Sequence, residues 1–300
     1  MGLPLYNYKD ISVIIPCYNS AQTIGRTLES ILSQTLKPKE IIVVDDASLD
    51  NIKATLIPYK KDITLVEHKK NMGAAAARNT GIKQSKGNFL AFLDADDTWR
   101  PNKLEYHLNF IKRTNADISC SSFMLHRNGI STTHILNKKN TSLLSMLDGC
   151  RVSPGSTLIA KRKTFTACGL FPTQLSRLED WAWLITILYK KEKFSVCPEI
   201  LSDIYTISFP AFENISLSLT NLKIYLKNNQ ILLGINEKRH FSAALSFELA
   251  AAYKRSRKVK WMIYYLIKSF FLNPKLFLRT PADIKRIFLS ALIKKKKHIS

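Results

Sequence analysis

Short apolar runs alternate with amphipathic stretches through the first hundred positions of the chain. Residues 11 to 16 (ISVIIP), 40 to 46 (EIIVVDD), 63 to 68 (ITLVEH) and 88 to 94 (NFLAFLD) are too short for core helices, and most are continuously apolar. That is the pattern of strands buried on both faces of a parallel sheet. Between the first two, Ile24, Leu28, Ile31 and Leu32 recur at i, i+4, i+7 and i+8 and predict a helix from Ser20, with Pro38 closing the loop after it. Residues 49 to 59 predict a weaker helix. The stretch NMGAAAARNTGIKQ predicts one lying close against the sheet, with Gly73 leaving backbone N–H groups accessible at its start. Pro101 opens the next helix. ADISCSSFML and GSTLIAKR read as further strands and EDWAWLITILYKK (179 to 191) as a helix with a thick apolar face. After about residue 213 only helical patterns remain, punctuated by Pro274 and Pro281. The expected architecture is α/β, a Rossmann-like, mostly parallel central sheet flanked by helices over 1–212, with a basic helical region over 213–300.

Composition narrows the partners. A chain of 300 residues, 46% hydrophobic and 23% charged, is neither disordered nor fibrous. Its net charge of +22 calls for an anionic partner: a nucleic acid, an acidic membrane or a phosphorylated small molecule. Residues 251 to 300 hold fourteen Lys or Arg against one Asp, so most of the excess sits at the C-terminal end. Five cysteines, Cys17, Cys120, Cys150, Cys168 and Cys197, lack paired spacing, which fits reduced thiols in a cytosolic setting. The first residues show no signal-peptide pattern, Tyr6 stands where N-myristoylation needs Ser or Thr, and no apolar run reaches the roughly 20 residues of a membrane span. A cytoplasmic location is therefore expected.

Against that basic background, the strand ends carry acids and turn formers. Pro16, Tyr18 and Asn19 follow the first strand, Asp45 and Asp46 the second, Asn71 and Gly73 the third, and Asp94, Asp96 and Asp97 the fourth. Any one of these suits a turn or helix start. Four successive strand ends bearing them mark a single crevice, because ligands of open parallel sheets bind beyond the carboxyl ends of the strands. Asp94 and Asp96, two positions apart in an extended segment, place carboxylates on one side roughly 7 Å apart. A hard divalent ion, Mg²⁺ or Mn²⁺, would relieve their repulsion, using one or two protein carboxylates and completing its shell with water and phosphate oxygens. A calcium loop does not fit, since DADDTWRPNKLE has no Gly at its sixth position. The six histidines are dispersed, without zinc-ligand spacing.

Taken in order, VIIPCYN, VVDDASLD, NMGAAAARNTG, FLDADD and LEDW resemble the inverting glycosyltransferase family 2 on the GT-A fold, over roughly residues 11 to 207. The resemblance implies a nucleotide-diphosphate sugar donor, in particular a UDP-sugar, and a glycan or lipid-linked glycan acceptor of the bacterial surface-polysaccharide type. It implies that Tyr18 and Asp45 bind the nucleobase, that Arg78 contacts the nucleotide, and that Asp94 and Asp96 are the two carboxylates of a DxD motif, Asp94 on the ribose side and Asp96 on the metal. Asp180 in LEDW would be the general base, with Asp46 and Glu179 in support. By itself LEDW also reads as an acid pair favoured by a helix N-terminus. The pattern is broken where relatives carry Tyr-Arg and then a His: here the chain reads IYTISFPAFENIS, with Thr206 in place of Arg. The rival from another class is a catalytically silent nucleotide-sugar or glycan-binding protein on the same fold.

The C-terminal stretches YKRSRKVK, WMIYYLI, SFFLNPKLFLR and IKRIFLSALIKKKK interleave aromatic and aliphatic clusters with cations. That suits helices lying in an anionic membrane interface, and equally a helical cap on the core with solvated cations. No nucleic-acid-binding motif is present, so no nucleic-acid partner is expected.

Overall fold

The computed structural model describes residues 10–206 and 212–277, without the side chains of 212–214, 276 and 277. The strands are β1 (Ile11–Cys17), β2 (Glu40–Asp45), β3 (Thr64–Glu67), β4 (Phe89–Phe92), β5 (Thr98–Trp99), β6 (Ile118–Arg127), β7 (Ile130–His134), β8 (Leu158–Lys161) and β9 (Phe194–Thr206). The helices are α1 (Ile24–Leu32), α2 (Ile52–Leu56), α3 (Ala74–Gln84), α4 (Lys103–Thr114), α5 (Leu143–Leu147), α6 (Pro154–Thr157), α7 (Arg162–Cys168), α8 (Glu179–Tyr189), α9 (Phe212–Asn228), α10 (Ile235–Arg255), α11 (Val259–Leu272) and α12 (Pro274–Phe277). The chain divides into two compact units: residues up to 142 with 151–209, and 143–150 with 210 onward.

In the first unit the sheet order is β3-β2-β1-β4-β8-β6-β9-β5, with β7 paired to β6. The four strands expected from their apolar runs form the parallel half, Val13 level with Ile41 and Ile14 level with Phe92. Alternate residues of β1 serve opposite layers, as strand geometry requires. Val13 and Ile15 join Ile24, Leu28 and Ile31 of α1 in the main core. On the other side Ile14 meets α3 so closely that a Cβ at Gly81 would lie 2.4 Å from Ile14 Cγ2. The small residues of α3 are what bring its backbone down onto the sheet.

Beyond β4 the pairing becomes mixed: β8 is antiparallel to β4 and β6, whereas β6 and β9 run parallel with register shifts near Ser121 and Ser122. Two details depart from the apolar pattern. GST is a turn of helix, not the start of β8, because Ser153 takes a left-handed conformation, Pro154 supplies the fixed φ of a first helical residue, and Thr157 Oγ1 donates to Val152 O at 2.6 Å. The helix after Pro101 begins at Lys103, with Asn102 as its cap.

In the second unit α10 and α11 pack through Ala250, Met262 and Leu266, and Ser269 Oγ donates to Ala243 O at 2.9 Å. Asp148, just after α5, lies 2.8 Å from His240 Nδ1 and accepts from Asn273 Nδ2 at 2.9 Å, so one carboxylate gathers three segments. No helix among the described residues is long and apolar enough to cross a membrane. The lysine run at 294–297 and Pro281 lie outside the described residues.

Candidate functional site

The carboxyl ends of the parallel strands open into loops that leave the sheet through left-handed residues: Asn19 (φ 50°), Ala47 (φ 62°) and Gly73 (φ 87°). Only the last is a glycine, so two side-chain-bearing residues are held in a sparsely populated region, as at many functional sites. The loops are stitched to one another. Asn19 N donates to Ser48 Oγ at 2.9 Å, Leu49 N to Asn19 Oδ1 at 2.7 Å and Ala21 N to Asp50 Oδ2 at 2.7 Å. Pro16 is inside β1, level with Val44. Tyr18 stands at the mouth, 43% exposed. Asp45 is buried, and its Oδ1 accepts from Ser48 N at 3.0 Å.

Asp46 is a clamp. Its buried carboxylate accepts from Met72 N at 2.9 Å and Gly73 N at 2.6 Å and contacts His68 Nδ1 at 2.6 Å, while His68 Nε2 reaches Thr80 Oγ1 at 2.9 Å. The Gly73 N–H, expected to stand accessible at the start of α3, is thus spent on Asp46. Asn71, two positions earlier in the same loop, is exposed.

After β4 the three carboxylates part ways. Asp97 is buried and structural: Oδ1 accepts from Tyr205 N at 2.8 Å and Oδ2 from Ser156 Oγ, which pins the acidic loop to β9 and α6. Asp96 is exposed, and its carboxyl is raised above the usual range by partial burial and by the charge of Asp94. Asp94 gives Oδ1 to Arg78 Nη2 at 2.7 Å. Its Oδ2 faces Gly155, where a Cβ would come within 2.3 Å. Beside them Arg26 Nη2 donates to Asp96 O at 2.7 Å while its guanidinium lies 4.0 Å from the centre of the Tyr205 ring, which also stacks on His126 of the neighbouring strand.

Arg78 links the end of β4 to the start of α8. It is 5% exposed and binds Asp94 with Nη2 and Glu179 Oε1 with Nη1, both at 2.7 Å. Two carboxylates hold its pKa above the usual arginine value despite burial. Its Nε is buried without a hydrogen-bond partner, an uncommon state for a buried donor. Glu179 and Asp180 open α8 behind Leu178, a non-glycine residue at φ 66°. Asp180 feels Arg78, Glu179 and Asp94 together, and its carboxyl is pushed up to about 7, by burial first, then by the Glu179 charge, with Arg78 opposing. The structure therefore brings Asp180 into the same electrostatic neighbourhood as Asp94.

Among the described residues no three His, Cys, Asp or Glu side chains converge on one point. Asp94 Oδ2 and the Asp96 carboxylate, held near each other with mutual repulsion, supply two hard oxygens, which fits Mg²⁺ or Mn²⁺ finishing its shell with phosphate and water.

The sequence reading missed Gly155 and Ser156, which form the floor beneath Asp94 and Asp97, although the Pro-Gly pair at 154–155 signalled a turn. It also missed Arg26, whose partner Tyr205 lies 179 positions away in sequence.

Residues 12–164 match the model of glycosyl transferase family 2. An uncharacterized glycosyltransferase of Rickettsia conorii is 32% identical over 77% of this chain, which spans about two fifths of that relative's length, 39%. The UDP-Glc:alpha-D-GlcNAc-diphosphoundecaprenol beta-1,3-glucosyltransferase WfaP of Escherichia coli is 31% identical, over 77% of this chain and 88% of its own. Among solved structures, S. aureus TarS 1-349 in complex with UDP-GlcNAc superposes with a TM-score of 0.66 at 19% identity, over 88% of this chain and 81% of its own. That likeness is one of fold.

Proposed function

Because the chain belongs to glycosyl transferase family 2, a family of sugar transferases, we propose that this GT-A enzyme moves a sugar from a UDP-sugar to a hydroxyl of a lipid-linked or polymeric glycan, with inversion at the anomeric carbon. The observation that supports the reading is the Arg78 bridge, which ties the acidic end of β4 to the start of α8, where Asp180 feels the charge of Asp94.

In this reading Tyr18 and Asp45 receive the nucleobase at the mouth of the crevice, and Asp94 faces the ribose. Pro16, Asn71 and Gly73 shape the walls, with Asp46 holding the Gly73 loop against β2. Arg78, held between Asp94 and Glu179, would contact the nucleotide. Asp94 and Asp96 would hold Mg²⁺ or Mn²⁺, which when bound offsets the negative charge that develops on the departing diphosphate. Asp180 takes the proton from the acceptor hydroxyl. A carboxyl near 7 is well matched to that task, being ionised for much of the time at neutral pH yet basic enough to accept a proton. A single base on the face opposite the leaving group would give in-line attack and inversion.

Attachment at the inner face of the cell membrane belongs to the same proposal. Trp261, Tyr264 and Phe271 of α11 are exposed, with Lys258, Lys260 and Lys268 among them. Aromatic side chains interleaved with lysine are suited to the boundary between headgroups and acyl chains, where a lipid-linked acceptor is presented.

The test is transfer from a panel of UDP-, GDP- and dTDP-sugars with Mn²⁺ to diphosphate-linked lipid acceptors. Turnover of a UDP-sugar, and weaker Mn²⁺-dependent donor binding in Asp96→Ala, are the expected results. A panel with no turnover, or Asp96→Ala binding donor as wild type does, would remove the proposal.

A further inference from the structure

The backbone of the acidic loop after β4 is held by two consecutive residues of α1, both outside the strand-end motifs. Thr27 Oγ1 is buried and lies 2.9 Å from Ala95 O and 2.8 Å from Asp97 O. Arg26 Nη2 donates at 2.7 Å to Asp96 O, the carbonyl between those two. One turn further along α1, Ser30 Oγ accepts from Trp99 N at 3.2 Å. Asp97 is fixed a second time by its own carboxylate, through Tyr205 N and Ser156 Oγ. The Asp96 side chain is exposed, and what is held at that position is its peptide, by Arg26.

Arg26 is itself exposed, and fixing a long, exposed side chain on one carbonyl costs rotamer entropy. Here the guanidinium has a prop. Its Cζ lies 4.0 Å from the centre of the Tyr205 ring, within cation–π range. A planar guanidinium can lay its face on a ring while an N–H at its edge donates elsewhere, which an ammonium group cannot do.

The ring is held in its turn. Tyr205 is level with His126 in the pairing of β6 with β9, and the two rings stack with centres 4.7 Å apart and planes 16° from parallel. His126 Nδ1 lies 2.8 Å from Ser131 Oγ of β7, and Nε2 lies 2.8 Å from Asp203 Oδ1. Asp203 also grips Arg100 with both oxygens, Nη2 to Oδ1 at 2.9 Å and Nε to Oδ2 at 2.8 Å. A line of contacts therefore starts on β6, β7 and β9, passes through one aromatic ring and one guanidinium, and ends on the Asp96 peptide. Asp94 and Asp96 repel each other, and the charge of Arg26 acts on Asp96 against that repulsion.

Resting on the reading of Asp94 and Asp96 as ligands of Mg²⁺ or Mn²⁺, we propose that Arg26, braced by Tyr205, is a positioning residue for the metal site. It holds the Asp96 peptide so that the Asp96 carboxylate stays beside Asp94, and it acts through Asp96 without being a ligand.

The experiment measures the dissociation constant of UDP for the full chain by calorimetry, with Mn²⁺ and again in EDTA. Wild type is compared with Arg26→Gln, Tyr205→Leu and Tyr205→Phe, and the readout is the factor by which Mn²⁺ tightens UDP. Residues that orient metal ligands typically change metal affinity by about tenfold or more, so Arg26→Gln and Tyr205→Leu should cut that factor by about tenfold, with UDP affinity in EDTA within about twofold of wild type. Tyr205→Phe keeps the ring and should keep the wild-type factor. Arg26→Gln alters an exposed side chain and decides the matter even if Tyr205→Leu does not fold. A wild-type factor in Arg26→Gln, a factor lost in Tyr205→Phe, or UDP affinity that falls equally in Mn²⁺ and in EDTA overturns the inference while the metal reading stands. Wild-type protein whose UDP affinity ignores Mn²⁺ overturns the metal reading, and the inference with it.

Discussion

Glu179→Gln removes one negative charge beside Asp180 while keeping the side-chain length and an oxygen for Arg78. The Asp180 carboxyl stands at about 7 because burial and the Glu179 charge outweigh the pull of Arg78. Carboxylates on neighbouring residues lie roughly 6 to 7 Å apart, and at an effective dielectric constant of about 20 two such charges repel by about 2 to 3 kcal/mol. Glu179 keeps a small exposed face and is paired with Arg78, which offsets part of its charge, so about half of that, or about one pH unit, is the expected effect. Asp180 in the variant then ionises near pH 6. A base works only when ionised, so kcat/KM of the wild type rises with pH through about 7 and levels off above it. In Glu179→Gln the rising limb moves down by about one pH unit. At pH 6 the ionised fraction climbs from about a tenth to about a half, roughly fivefold. Rates of transfer measured between about pH 5 and 9 for both proteins decide the matter. A limb that stays in place or moves upward would refute the electrostatics described for this crevice.

Lys103, wholly buried at the first position of α4, has its pKa lowered to about 7 by desolvation, against ~10.4 in an unfolded chain. The unfolded chain binds the extra proton between those values, so stability rises with pH from about 7 to about 10, and the penalty, about 5 kcal/mol, is complete below 7. Lys103→Met should flatten that slope and raise the urea midpoint at pH 6; an unaltered slope would count against it. Gly155→Ala brings a Cβ within 2.3 Å of Asp94 Oδ2 and should weaken Mn²⁺-dependent binding of a UDP-sugar at least tenfold by calorimetry, with wild-type affinity as the contrary result. The protein should co-sediment with anionic vesicles, and replacing Trp261 and Phe271 with Ser should release it; unchanged sedimentation would remove the membrane proposal.

The parts of this molecule legible in its sequence are those governed by local pattern. β1, β2 and β4 are continuous apolar runs because both faces are covered, and α1 shows its core face as Ile24, Leu28 and Ile31. Parallel pairing then puts the ends of β2 and β4 at one edge of the sheet, so it could be anticipated that Asp45, Asp46, Asp94 and Asp96 share that edge. What pattern does not carry is partnership at a distance. Nothing near Arg78 foretells Glu179, 101 residues on. Lys103 reads as a solvated helix start, yet its ammonium group rests among His107, Ser121 and the Thr157 carbonyl. β7 escapes notice for the opposite reason: all five residues are exposed, so it has no buried face to mark it and is held by backbone pairing to β6.

The central proposal is that one carboxylate, Asp180, takes the proton of the incoming hydroxyl. The direct measurement pairs sugar transfer with donor affinity in Asp180→Asn. Transfer should fall by about 10² to 10⁴, while the dissociation constant of the UDP-sugar with Mn²⁺ stays within about twofold of wild type. An Asp180→Asn enzyme that still transfers sugar at a tenth of the wild-type rate or better, or that fails because it no longer binds donor, would contradict that role.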